Sequence, residues 1–289
     1  MRKKQKKVLI LGATGMLGRI VLKYLRQTHP GHIYGTSRSK KKGLIYLDAA
    51  EKLNFSKVFK KSKFNYVINC IGILKNKGNR KDFKKINSLL PQFLDEISKI
   101  YNFKLVHISS DGIFHNLAGT VKENSKKFTN DNYGKSKLKG EVKNGLNIRT
   151  SIVGFDPRDH SGVLEHAIQE NSELVGFTNQ RWSGATVLQL ANFIDDLIYS
   201  GKYDALISKT NLIHFTPLGP ITKYELLNTF ANLLGDKKIR KGKGKKITRI
   251  LFSNYIDEIE LNNYTNELKK ALNDLIEFDK NYVRKFKKN

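Results

Sequence analysis

Three features of the sequence predict an α/β fold built on a doubly wound parallel sheet. Apolar runs of strand length alternate with segments of helical periodicity through the first half of the chain. The strand runs are almost continuously apolar, as expected of parallel strands covered by helices on both faces. The first of them, Val8–Leu11, leads directly into a glycine-rich turn and then an amphipathic segment.

The elements follow in order. After the turn, Ile20, Val21, Tyr24 and Leu25 are apolar at helical spacing. His32–Thr36 and Leu44–Leu47 read as the next strands, and Asp48 is placed to cap a helix reaching about Lys61. Asn65–Ile71 is a fourth buried strand. A helix then carries Phe83, Ile86, Leu90, Phe93, Leu94 and Ile97, and Phe103–Ser109 and Leu146–Thr150 are further strands. From Ser151 to Gly184 the pattern reads as loop with one short helix near Val163–Gln169. Helices follow at about 186–200, 222–234 and 264–286. In the last, Leu268, Ala271, Leu272, Leu275 and Ile276 form one apolar face. Residues 1–155 therefore form the dinucleotide-type domain and residues 156–289 mainly a smaller C-terminal lobe, with no clean linker between them.

The glycine turn gives the first domain its chemistry. In Gly12-Ala13-Thr14-Gly15-Met16-Leu17-Gly18 the first glycine permits a tight turn. The second lets backbone approach a pyrophosphate, and the third lets helix and strand pack closely. The helix N-terminus offers free N–H groups and partial positive charge to phosphate. These features make the domain a Rossmann-type dinucleotide site. The second strand ends in Ser37-Arg38-Ser39-Lys40, without the acid that would bind an adenosine ribose. Ser37 and Arg38 suit a ribose phosphate instead, so NADPH is the expected cofactor and NADH the alternative.

Tyr133 and Lys137 are four apart and share one helical face. An ammonium beside a phenol favours the phenolate, fitting the tyrosine to move a proton near neutral pH. The preceding strand ends in Ser109-Ser110-Asp111, at the edge where such sheets bind ligands. Ser110 is placed there to hydrogen-bond a carbonyl oxygen. His107 and His214 read as core residues, and Cys70 has no partner that would make it a nucleophile. Asp156, Asp159 and His160 cluster without further ligands, so no metal is expected.

Bulk properties agree with an enzyme of this kind. Hydrophobic residues make up 39% of 289, enough for a sizeable core. No apolar run approaches the roughly 18–20 residues of a membrane span, and Val8–Leu11 is shorter than the about 7–15 residues of a signal sequence. Cys70 is the sole cysteine, which excludes an internal disulfide and fits a reducing, cytoplasmic compartment. The net charge of +27 invites a nucleic-acid reading. Its basic runs, at 2–7, 40–42, 57–63, 237–249 and 284–288, are scattered lysines without interleaved aromatics or a reader motif, so a solvated surface is expected. A homodimer stays open.

The arrangement resembles the extended short-chain dehydrogenase/reductases, in the G-x-x-G-x-x-G form of Gly12, Gly15 and Gly18 and in Tyr133 and Lys137. Within them it is most similar to the dTDP-4-dehydrorhamnose reductase type. The resemblance lies in Ser109-Ser110-Asp111-Gly112-Ile113-Phe114 and in Tyr133-Gly134-Lys135-Ser136-Lys137-Leu138-Lys139-Gly140-Glu141. Ile148–Gly154 and Gly176–Gly184 look like segments of reductases acting on UDP-linked acetamido-deoxy sugars.

The resemblance implies catalysis by Ser110, Tyr133 and Lys137, with the dinucleotide along Gly12, Thr14, Gly15, Met16 and Leu17. It implies Asn69, Ile71 and Gly72 beside the cofactor, Asp48 near the adenine, and Asp111, Asn179, Arg181 and Trp182 near a nucleotide-sugar substrate. Two departures bear on the sugar: Gly112 stands where such reductases often carry tyrosine, and Ser110 where threonine is usual. The implied activity is reduction of a 4-keto group of a nucleotide-linked 6-deoxyhexose. The rivals are a non-catalytic dinucleotide-binding subunit and an epimerase or dehydratase on the same scaffold.

Overall fold

A computed structural model describes residues 6–160, 162–169, 174–235 and 238–287. The chain divides into two compact units. The first comprises Met1–Ile113, Phe128–Arg149 and Ala191–Ile213, and the second Phe114–Lys127, Thr150–Leu190 and His214–Asn289.

The strands are β1 (Val8–Leu11), β2 (Ile33–Ser37), β3 (Ile45–Tyr46), β4 (Tyr66–Asn69), β5 (Lys104–Ile108), β6 (Gly119–Val121), β7 (Leu146–Arg149), β8 (Ile152–Val153), β9 (Leu174–Phe177), β10 (Gln180–Thr186), β11 (Leu212–His214), β12 (Leu218–Thr222), β13 (Ile239–Gly242) and β14 (Ile247–Leu251). In the first unit a sheet of seven strands runs β11-β7-β5-β4-β1-β2-β3, with parallel pairing from β7 through to β3. This is the doubly wound Rossmann arrangement predicted from the alternation. The chain builds outward from β1 to β3, then returns to the other side of β1 with β4. The carboxyl ends of β1 and β4, where Leu11 faces Asn69, are therefore the switch point at which such sheets open a crevice.

Burial explains the continuous apolar runs. All four residues of β1 and of β4 are buried, because helices cover both faces. On one face Leu9, Leu11 and Val67 pack with Phe55, Phe59, Phe64, Leu94 and Phe103. Phe59 stacks on Phe103 with ring centroids 4.9 Å apart. The helix Met16–Thr28 buries Ile20, Val21 and Leu25, the spacing read from the sequence.

Some boundaries differ from the expected ones. The helix predicted after Asp48 is Lys52–Lys61 with Glu51 at its N-cap, and no side chain caps it. Asp48 instead accepts the Ala50 N–H at 2.8 Å, closing a local turn. The helical run Arg80–Tyr101 is interrupted by a π-helical stretch, Phe83–Leu89.

The second unit contains a five-stranded sheet, β12-β10-β14-β6 with β8 on β10, and a parallel pair of β9 and β13. Residues 151–184, expected as mostly loop, thus supply β8, β9 and β10 besides the helix Val163–Gln169. These strands are short, and the partners that define them lie far along the chain. The last predicted helix is two, Leu268–Phe278 and Lys280–Lys287, broken at Asp279. Ala271, Leu272 and Leu275 form its buried face. Glu123 holds this unit together locally, accepting from His214 N, Ser253 Oγ and Asn254 N at 2.8, 2.6 and 2.9 Å. Among the described residues no helix is long and apolar enough to cross a membrane.

In the first unit the buried carboxylate of Asp95 accepts the N–H groups of Lys143, Asn144 and Gly145 at 3.0, 3.0 and 3.2 Å, fixing the turn into β7. Asp95→Ala leaves those donors without their acceptor and is expected to destabilise by about 2–4 kcal/mol. A thermal melt is expected to show a Tm lower by roughly 3–7 °C.

Candidate active site

The glycine turn at the end of β1 has the geometry that a phosphate-binding loop requires. Gly12 has φ of +76°, and its Cβ position lies only 3.0 Å from Ile71 Cγ1. Its N–H donates to Thr36 Oγ1 at 3.2 Å, and Ala13 N–H donates to the Thr36 carbonyl at 3.0 Å, pinning the turn to β2. A Cβ on Gly18 would stand 2.3 Å from the Gly12 carbonyl oxygen, so only glycine lets the helix approach the turn this closely. Gly15 is the N-cap of that helix, without a side-chain cap, and the first turn holds no acid. The N–H groups and the positive end of the helix dipole are thus left for an anion. Thr14 and Met16 are half-buried, and Leu17 packs its side chain into the core.

Around the turn, Ser37 is buried with its hydroxyl 3.3 Å from Ser39 Oγ, and Arg38 is exposed at the end of β2. Asn69 is wholly buried: its Oδ1 accepts the Ile71 N–H at 3.1 Å and its amide nitrogen lies 3.1 Å from His107 Nδ1. Burial first, and then the charge of Lys137, hold the His107 imidazole neutral, well below its ordinary pKa. Burial alone pushes the Cys70 thiol up to about 12, so it stays protonated.

At the end of β5 the three expected catalytic side chains come together. Asp131 caps the helix Asn132–Lys139 by accepting the Gly134 N–H at 2.8 Å, and this helix carries Tyr133 and Lys137. The Tyr133 hydroxyl donates to Ser110 Oγ at 3.3 Å. Ser110 Oγ also accepts the Gly112 N–H at 3.0 Å and lies 3.4 Å from Asp111 Oδ1. Lys137 is 5% exposed, and its Nζ donates to the Ile108 carbonyl at 2.8 Å. Burial lowers its pKa to about 8, opposed by the carboxylate of Glu141. The Cβ position of Gly72, after β4, lies 3.9 Å from that ammonium, so the loop after β4 meets the helix that carries Lys137. Gly112 has a local reason: a Cβ there would meet Tyr133 Cε1 at 2.7 Å. A tyrosine in its place would displace the phenol that touches Ser110.

Several contributors were not read from the sequence. Asn87, in the π-helical stretch, is wholly buried. It accepts Ile73 N–H at 2.9 Å, donates to the Ile73 carbonyl at 3.0 Å and reaches Ser136 Oγ at 3.3 Å. It thereby joins the loop after β4 to the Tyr133–Lys137 helix. A π-helical turn commonly marks a functional site. The only trace in the sequence is the polar pair Asn87-Ser88 on an otherwise apolar helix face. Glu141 and Arg149, each in a quoted motif, form a buried ion pair at 2.7 Å that was not read from the sequence.

The residues expected near the substrate are placed less uniformly. Asp111 is buried and opens the single turn Asp111–Ile113 beside Ser110. The other three lie in the second unit. Asn179 spends its amide on Gly244, donating to the carbonyl at 2.6 Å and accepting the N–H at 3.0 Å, which makes it a turn clamp. Arg181 is exposed and Trp182 half-buried, and as successive residues of β10 they face opposite sides of the sheet. Asp156 pairs with Arg158 at 2.7 Å and His160 Nδ1 meets Tyr282 Oη at 2.7 Å. Among the described residues no cluster of acids, histidine and cysteine has metal-binding geometry.

Comparison with known proteins agrees with this architecture. A dTDP-4-dehydrorhamnose reductase from Clostridium acetobutylicum is 23% identical, with a TM-score of 0.77 over 95% of this chain and 99% of its own. A dTDP-4-dehydrorhamnose reductase from Bacillus anthracis, solved in complex with NADP, is 19% identical, with a TM-score of 0.73 over 96% and 99%. The Bordetella bronchiseptica enzyme WbmH, solved with NAD+, is 14% identical, with a TM-score of 0.74 over 96% and 100%. At these identities the likeness establishes the fold. No curated protein sequence matches the chain. The RmlD substrate binding domain family matches residues 6–269, and the chain belongs to that family.

Proposed function

We propose that this protein is an NADPH-dependent reductase of the 4-keto group of a nucleotide-linked 6-deoxyhexose. The substrate would be of the dTDP-4-dehydrorhamnose or UDP-2-acetamido-2,6-dideoxy-4-keto-hexose type. The observation that carries the proposal is the contact of Tyr133 with Ser110 at 3.3 Å, with the buried Lys137 four residues further along the same helix. Membership of the RmlD family and the solved relatives that act on nucleotide sugars support the substrate class.

The residues present fit a dinucleotide. A Cβ would fill the cradle at Gly12 and Gly18, and the helix N-terminus at Gly15, without a side-chain cap, would donate its N–H groups to phosphate oxygens. Ser37 and Arg38 would take the ribose phosphate, Asn69, Ile71 and Gly72 the nicotinamide side, and Asp48 the adenine side. When bound, the reduced dinucleotide supplies a hydride.

The chain's own groups do the rest. Ser110 Oγ holds the substrate carbonyl oxygen, and the Tyr133 hydroxyl gives its proton to that oxygen as negative charge develops. The Lys137 ammonium, fixed on the Ile108 carbonyl, keeps donors for the cofactor ribose and favours the phenolate left behind.

NADPH absorbance, read across a panel of UDP- and dTDP-4-keto-6-deoxy sugars, tests the proposal. One equivalent of NADPH is expected to disappear per sugar reduced. An epimerase or dehydratase would consume none.

Two substitutions sharpen the reading. Tyr133→Phe is expected to lower kcat by about 10²–10⁴-fold with little change in NADPH affinity. A loss below tenfold would favour a non-catalytic binding subunit. Arg38→Ala is expected to raise the KM for NADPH by about 10–100-fold and leave that for NADH unchanged, since it removes a charge-assisted contact to the phosphate alone. The pH profile of kcat/KM should fall on the alkaline side with a midpoint of about 8, as Lys137 loses its proton.

A further inference from the structure

A phenol that is to deliver a proton at Ser110 must be held in one orientation, and the side chain of tyrosine turns about two bonds. The backbone fixes where Tyr133 starts. Its neighbour Gly134 lies so close to the turn Asp111–Ile113 that a Cβ there would stand 2.4 Å from the Gly112 carbonyl oxygen. One edge of the ring lies against Gly112, whose Cβ position is 2.7 Å from Tyr133 Cε1 and 3.4 Å from Cδ1. A further contact comes from Phe83.

The local sequence sets Phe83 in place. Asn79 accepts the N–H groups of Lys81 and Asp82 at 2.8 and 3.1 Å, and the Asp82 carboxylate accepts the Asn79 N–H at 3.3 Å. Directly after this capping box, Phe83 donates its N–H to the Asn79 carbonyl at 3.0 Å and opens the π-helical stretch. Its side chain is buried. The ring meets that of Tyr133 at a steep angle, with centroids 5.8 Å apart and planes at 75°. A Cβ on Gly78 would come within 3.0 Å of Phe83 Cε1, so glycine there leaves the space the ring occupies. Further along the same stretch, Asn87 reaches Ser136 Oγ and Ser88 donates to the Ser136 carbonyl. The segment carrying Phe83 is thus bonded to the helix carrying Tyr133. An edge-to-face pair has a preferred geometry, so it resists rotation of either ring in a way that an aliphatic contact does not.

We propose that Phe83 is a positioning residue, whose ring holds the Tyr133 phenol in the orientation that brings its hydroxyl to Ser110. The proposal rests on the reductase reading above, in which that hydroxyl gives up the proton.

The test is a double-mutant cycle. Phe83→Leu removes the ring and keeps an apolar side chain. It is expected to lower kcat about tenfold, with the KM for NADPH within about twofold of wild type. The same substitution is then made in the Tyr133→Phe background, where a ring remains but no hydroxyl needs orienting. There Phe83→Leu is expected to lower the residual kcat by less than about twofold, because the two residues act through one group. A structural defect in the whole site would lower kcat equally in both backgrounds. That result overturns the proposal, and so does an unchanged kcat for Phe83→Leu alone. Phe83→Met, whose unbranched chain fills irregular space with little strain, is measured alongside and decides the matter if the leucine variant does not fold.

Wild-type NADPH oxidation with the keto-sugar panel is measured first, so that failure of the reductase reading shows separately. In that event the same four proteins are compared by thermal melts without any sugar. If Phe83 holds the hydroxyl on Ser110, Tyr133→Phe lowers the Tm by roughly half as much once the Phe83 ring is gone. An equal lowering in both backgrounds overturns the proposal.

Discussion

The burial of the Lys137 ammonium is the constraint around which the first unit's functional end is organised. A cation removed from water must be met by acceptors or give up its proton. Here the Ile108 carbonyl takes one donor. That requirement reaches outward through the structure. The carbonyl must come from the end of β5, so the helix Asn132–Lys139 must lie against that strand end, where Ser110 also sits. The helix is fixed in this place by Asp131 at its start and by Asn87 and Ser88 along its length, Ser88 donating to the Ser136 carbonyl at 2.8 Å.

The glycine-turn side is governed by close backbone approach. Gly12 and Gly18 bring helix and turn within a distance that excludes a Cβ, and the parallel order of the sheet places the turn beside Asn69 at the switch point. Asn69 closes the loop after β4 by accepting the Ile71 N–H, and its amide faces His107. The imidazole is thereby kept as a neutral core group between the two halves of the site. The two sides meet at Gly72, whose lack of a side chain leaves room next to Lys137.

The parts legible in the sequence were those with short-range signatures. Val8–Leu11 followed by Gly12, Gly15 and Gly18 announced strand, turn and helix within eleven residues, and the structure has each. Tyr133 and Lys137 needed only the helical repeat to share a face. By contrast, β8, β9 and β10 went unread because β9 pairs with Ile239–Gly242 and β10 with Ile247–Leu251, both far along the chain. Two- to seven-residue strands of mixed polarity carry no period strong enough to see. Asp48 was assigned to a helix cap from residue type alone, but the chain makes one more turn before the helix begins.

The sequence by itself determined the Rossmann order of elements, the glycine turn and the Tyr133–Lys137 face, since each depends on backbone geometry repeated over neighbouring residues. Only the tertiary structure decided what surrounds them. The π-helical placement of Asn87, the Glu141–Arg149 clamp and the neutral His107 all depend on burial and on partners brought together by the fold. The same holds for Asn179 and Trp182, whose surroundings are set by Gly244 and by a Gly184 whose Cβ would strike the indole at 2.2 Å. Charge and desolvation act through space, so a residue's electrostatic role is fixed only when the fold has chosen its neighbours.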